Sequence, residues 1–147
     1  MFKHILAPVD GSVTSMTALD KAIGLAQAFD CALTVVYVID PYPFTGVGTE
    51  FAYGQDQYLN AARAEAAAVA DMVAGRLKAA GLSSDTRVVE SHTVWRGILE
   101  AADAASADLV VIGSHGRRGL ERLVLGSVAQ SVLSHTKVTT LVVRGDD

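Results

Sequence analysis

The chain has 147 residues, 50% of them hydrophobic and 19% charged, the composition of one globular domain long enough to bury a core of its own. A formal charge of −4 argues against a nucleic-acid binder, which would carry a basic face, and the single cysteine, Cys31, excludes an intrachain disulfide or a cysteine-rich zinc site. No apolar run approaches membrane-spanning length, and Ile5-Leu6-Ala7 is cut short by Pro8 and Asp10 before it can form a signal peptide, so no membrane insertion and a cytoplasmic location are expected.

Phe2 to Val9 reads as a first strand ending at Asp10-Gly11-Ser12. Met16, Leu19, Ile23 and Ala26 follow at spacings of three, four and three, one face of a helix. Cys31 to Ile39 is rich in β-branched residues and predicts a second strand. Residues 41–57 hold two prolines and three glycines and read as a long connection, with Tyr42, Phe44, Phe51 and Tyr53 suited equally to a lid or to a small apolar cluster over the sheet edge. Helical rhythm returns at Leu59 and runs through Ala62, Ala66, Val69, Val73 and Leu77, with Gly81 placed to end it. Thr86–Glu90 predicts a third strand; Val94, Ile98, Ala101 and Ala105 a third helix; Leu109–Ile112 a fourth strand. A helix over 128–135 and a strand over Thr139–Arg144 complete the chain. Strand and helix thus alternate five times, which predicts the α/β class: a single Rossmann-like domain with an open, parallel, five-stranded sheet and helices on both faces.

The stretch from Asp108 to Gln130 holds the candidate chemistry. A strand apolar on both faces runs into Gly113, Gly116, Arg117, Arg118 and Gly119, then Gly126-Ser127 before a new helix. A helix N-terminus offers unpaired N–H groups and a positive dipole end to an anion. Ser127 and Gln130 stand in capping-box spacing. Gly113 and Gly116 lack a Cβ and so allow close approach to their backbone, and Arg117 and Arg118 are cationic arms for phosphate or, with equal weight, a solvated pair. His115 reads as an exposed loop residue, Trp95 as a packing anchor, and His4, His92 and His135 show no metal-ligand spacing.

The pattern Gly113-x2-Gly116-x9-Gly126-Ser127 resembles the nucleotide signature of the ATP-binding branch of the universal stress proteins, and the resemblance spans residues 1–147. It implies strand order 3-2-1-4-5, whose winding reverses between the first and fourth strands, the point at which such sheets bind ligands. It implies ATP, or ADP or AMP, as ligand, with Mg²⁺ carried on the phosphates beside Ser127 or Asp10. Adenine is then expected against Pro8, Val9, Asp10 and Val38, with Ile112 as a further apolar wall. Phosphates fall to the main chain of Gly113, Gly116, Gly126, Ser127 and Val128. Asp10 has a second reading, as a stabiliser of the turn into the first helix. Ser91-His92-Thr93 stands where the family commonly has Gly-x-Pro, which puts that loop's part in the pocket in question.

The resemblance implies a regulatory, stress-response nucleotide-binding module that is at most a weak ATPase, with an unspecified regulatory protein partner. The alternative is an ATP-using enzyme of the same fold. Against it stand the missing Gly-x4-Gly-Lys-Ser/Thr loop and the absence of a carboxylate or histidine placed as general base. A homodimer is expected through the last strand, Thr139–Arg144, which is short, uncharged up to its end and β-prone.

Overall fold

In the computed structural model, residues 1–41, 49–83, 85–116 and 125–145 are described. Among them, strands and helices alternate as β1 (His4–Pro8), α1 (Val13–Phe29), β2 (Ala32–Ile39), α2 (Thr49–Ala79), β3 (Thr86–Glu90), α3 (Val94–Ala104), β4 (Leu109–Gly113), α4 (Ser127–His135) and β5 (Thr139–Val143). The five strands form one parallel sheet in the order β3-β2-β1-β4-β5. This is the order expected from the family resemblance.

Alternation along each strand divides the core into two layers. Odd-numbered residues, among them Ile5, Val35, Tyr37 and Val111, pack with α1 and α2. Even-numbered ones, Leu6, Val36, Val110 and Ile112, pack with Ile98, Ala101 and Ala102 of α3 and Val132 of α4. The four positions that marked the first helix are all buried, as are Ala66, Val69, Val73 and Leu77 of α2. That helix ends as expected at Gly81, whose φ of +74° suits glycine. Leu82 N–H bonds to Leu77 C=O at 2.9 Å and Gly81 N–H to Lys78 C=O at 3.0 Å, the paired bonds of a Schellman stop.

The long connection expected over 41–57 is shorter than the sequence suggested, because α2 begins at Thr49. Pro43, Gly46 and Gly48 lie outside the described residues, and Gly54 sits inside the helix, where a lone glycine costs only about 1 kcal/mol. Tyr42 and Phe44 lie outside the described residues, and Phe51 and Tyr53 fall in the first turns of α2.

One polar chain interrupts the even-numbered layer far from the glycine-rich loop. Fully buried Thr34 donates its hydroxyl to Asp85 at 2.6 Å and meets His4 Nε2 at 2.7 Å. Having only one proton to give, Thr34 accepts from the imidazole, so His4 carries its proton on Nε2. The Thr34 hydroxyl, with Arg87 beside it, holds the Asp85 carboxyl below the usual carboxylate range. At the same end of the sheet, Asp108 accepts from the backbone N–H groups of His4 and Lys3, which lower its pKa and tie the start of β1 to the approach to β4.

Candidate functional site

The cavity lies where the winding reverses, at the carboxyl ends of β1, β2 and β4, and holds about 310 Å³. Ten residues singled out in the sequence line it: Pro8, Val9, Asp10, Val38, Ile112, Gly113, Gly116, Gly126, Ser127 and Val128. Arg117 and Arg118 lie outside the described residues. Sequence reasoning missed Val36, Val94 and Ile98, which complete an apolar wall, and Ser15, Ser114 and Ala129. Val36 was findable, since it precedes Val38 by two on the same face of a strand. Val94 and Ile98 carry the helical spacing of a core stripe, so nothing in the sequence marks them as lining a cavity.

The N-terminus of α4 forms one end of the cavity, but not through the capping box that the sequence suggested. Gly126 is the N-cap, with extended backbone and no side-chain cap bond, and Ser127 is the first helical residue. The Gln130 side chain donates to Leu125 C=O at 2.8 Å, while Gln130 N–H bonds to Gly126 C=O at 3.0 Å. A cap one residue earlier leaves Ser127, Val128 and Ala129 as the first turn, whose N–H groups have no carbonyl four residues back within the helix. All three residues line the cavity.

Two glycines have packing neighbours that the sequence did not indicate. At Gly113 a Cβ would lie 3.0 Å from the Thr14 methyl and 3.2 Å from the Thr14 carbonyl carbon and oxygen, so its bareness makes room for α1. At Gly116 a Cβ would lie 2.5 Å from Asp10 Oδ2. Both glycines also line the cavity. Spacing alone cannot tell a glycine that admits a ligand from one that admits a helix.

Asp10 joins both of its readings. It lines the cavity, and its Oδ1 accepts from Ser12 N–H at 2.9 Å. Ser12 caps α1 by accepting from Ser15 N–H, and Ser15, buried, donates back to Ser12 C=O. The turn is thus held by its own side chains, which fixes the carboxylate at the cavity edge.

His115 is not the exposed loop residue that its setting suggested. It lines the cavity; its Nδ1 lies 3.0 Å from Ser114 Oγ, and its buried Nε2 has no hydrogen-bond partner among the described residues. Ser114 is clamped on both sides, its N–H bonding Val143 C=O at 2.8 Å and its C=O accepting from Gly126 N–H at 2.7 Å, which holds the start of the loop against the sheet. At the Ser91-His92-Thr93 departure, Ser91 Oγ donates to Thr93 C=O, and none of the three lines the cavity; Val94 does. Gly97 brings α3 close to β2, since a Cβ there would lie 3.0 Å from Val38 Cγ1. No cluster of three or more metal-ligating side chains occurs among the described residues.

An open parallel sheet with an apolar crevice at its switch point, closed at one end by a helix N-terminus, places the chain in the doubly wound α/β class, whose ligands bind at such crevices. The family model for the universal stress protein family matches residues 1–144, and the chain belongs to that family. A universal stress protein of Methanocaldococcus jannaschii is 33% identical over 98% of this chain and 83% of its own length. The crystal structure of a family member from Burkholderia pseudomallei is 30% identical, with a TM-score of 0.76 over 95% of this chain and 94% of that one. A universal stress protein solved in complex with cAMP is 25% identical, with a TM-score of 0.71 over 99% and 98% of the two chains. Among the described residues no helix is long and apolar enough to cross a membrane.

Proposed function

We propose that the chain binds an adenine nucleotide in the switch-point cavity, as a member of the ATP-binding branch of its family, and works as a regulatory stress-response module rather than a dedicated enzyme. The observation that carries this reading is the union of an apolar slot and the open first turn of α4 in one cavity. Few small ligands need both; a nucleotide needs a wall for its base and donors for its phosphates.

The slot also offers a base edge. Even-numbered residues of β2 turn their peptide groups toward β1: Ala32 N–H donates to Lys3 C=O, and Val36 C=O accepts from Val9 N–H. Pro8 pairs with Val36, so Val38 is the next residue in that row and stands past the end of β1. Its N–H and C=O form a neighbouring donor and acceptor that suit the N1 and exocyclic amine of adenine. The relative solved with cAMP supports an adenine-bearing ligand of this size.

The phosphates then meet the N–H groups of Ser127, Val128 and Ala129, with the Ser127 hydroxyl as a further donor. Mg²⁺ enters with the phosphates, since among the described residues the cavity's side-chain oxygen donors, Asp10, Ser15, Ser114 and Ser127, include one carboxylate only. Any hydrolysis is slow, for a Mg²⁺–triphosphate gains electrostatic activation without a dedicated base. A homodimer through β5 is part of the same reading. That strand is an edge of the sheet, and Leu141 on it is 42% exposed. Mass spectrometry of small molecules released from the purified protein, with calorimetric titration by Mg–ATP, ADP, AMP and cAMP, tests the ligand. Release of no adenine nucleotide, together with no binding heat from any of the four, overturns the reading.

A further inference from the structure

We propose that His135 is a positioning residue for the phosphate end of the cavity, acting through α4 by its stack on Trp95. The proposal rests on the nucleotide reading above and adds to it a residue at the far end of the helix.

The α4 helix is nine residues long and buries only Ala129 and Val132. With partly buried Val128 added, this is a small apolar hold on a helix whose first turn lines the cavity. Its last turn supplies a second hold. The His135 ring lies on that of Trp95 with centroids 4.0 Å apart and planes within 17°. His135 Nδ1 lies 2.8 Å from Ser131 C=O, which only accepts, so Nδ1 carries a proton and the bond sets the ring's orientation. Trp95 is itself partly buried against the layer formed by α3 and α4, with the Arg96 guanidinium carbon 5.3 Å from its ring. Its neighbours Val94 and Ile98 on α3 line the cavity. The stack therefore clips α4 to the helix that forms another wall of the same cavity.

Loss of the clip removes the hold on the last turn of α4, which then tilts about its buried pair and the Gly126 N–H to Ser114 C=O bond at its start. Hydrogen bonds weaken steeply with misalignment, so the amides of residues 127–129 suffer, while the base slot, built on strand ends and α3, keeps its shape. The signature is selective: phosphate binding falls and nucleoside binding does not.

The test is calorimetric titration of AMP and of adenosine into wild type, His135→Ala and His135→Phe. His135→Ala is expected to weaken AMP about tenfold and to change adenosine less than about twofold. His135→Phe, which stacks without an imidazole, restores AMP affinity. Trp95 is the only tryptophan, so the indole bands in near-ultraviolet circular dichroism report the stack directly: altered in His135→Ala, retained in His135→Phe. Should His135→Ala fail to fold, Trp95→Leu breaks the same clip from α3 and carries the same comparison. Equal weakening of AMP and adenosine, or no weakening of AMP, overturns the role. So does a wild type that binds adenosine as tightly as AMP, which leaves the base slot standing. A wild type that binds neither ligand overturns the nucleotide reading and this role together.

Discussion

Replacing Gly113 by alanine separates packing from ligand access at the centre of the site. The new Cβ would stand 3.0 Å from the Thr14 methyl and 3.2 Å from the Thr14 carbonyl carbon and oxygen. The methyl can turn aside, whereas the carbonyl belongs to the first turn of α1 and moves only if that helix moves. Overpacking of this kind costs about 1–3 kcal/mol. In a domain of this size that lowers Tm by roughly 3–12 °C, read by thermal and urea unfolding of nucleotide-free protein. Thr14→Ser removes the methyl contact alone, so the double variant should recover part of the loss and no more. Gly75→Ala provides the control: Gly75 lies inside α2 with nothing within 4 Å of its added Cβ, and the change should stabilise by about 0.5–1 kcal/mol. A Gly113→Ala protein as stable as wild type, or one fully rescued by Thr14→Ser, would refute the argument that the glycine makes room for α1.

Asp10→Ala should weaken ATP, ADP and AMP alike if the carboxylate serves the base, and ATP most if it serves Mg²⁺ at the triphosphate; a lost contact of about 1–3 kcal/mol is within reach of calorimetry, and unchanged affinities return Asp10 to its turn. For the dimer, Leu141→Lys is a cleaner probe than Val142→Lys, because Val142 packs against the α3–α4 layer while Leu141 is exposed. Light scattering should show wild-type dimer and Leu141→Lys monomer, and a monomeric wild type rejects the β5 interface. Asp85 is held below its unfolded pKa, chiefly by Thr34, so its contribution is complete above the unfolded value near about pH 4 and is lost as pH falls through the folded value. Thr34→Val should therefore lose stability at about pH 7 and lose less at about pH 3, and an equal loss in urea unfolding at both pH values contradicts the coupling.

Periodicity in the sequence determined which segments are strands and helices, because each must turn an apolar stripe toward a core and the spacing of that stripe is local information. Met16, Leu19, Ile23 and Ala26 specify the buried face of α1 with no knowledge of what it meets. Glycine, too, was legible where its effect is local: Gly81 stops α2 by its backbone angle alone. The strand order came from resemblance rather than from periodicity, which says that a strand is buried and not which strands flank it. Tertiary structure alone decided the rest. Gly113 makes room for the backbone of Thr14, and Gly116 sits against the Asp10 carboxylate, both about a hundred residues earlier in the chain. Val94 and Ile98 line the cavity because α3 crosses the end of β2, and His135 finds Trp95, forty residues earlier, because the two helices on either side of β4 in the chain lie side by side. Each is a contact between residues far apart in the chain, and a local pattern carries no record of which distant surface it will face.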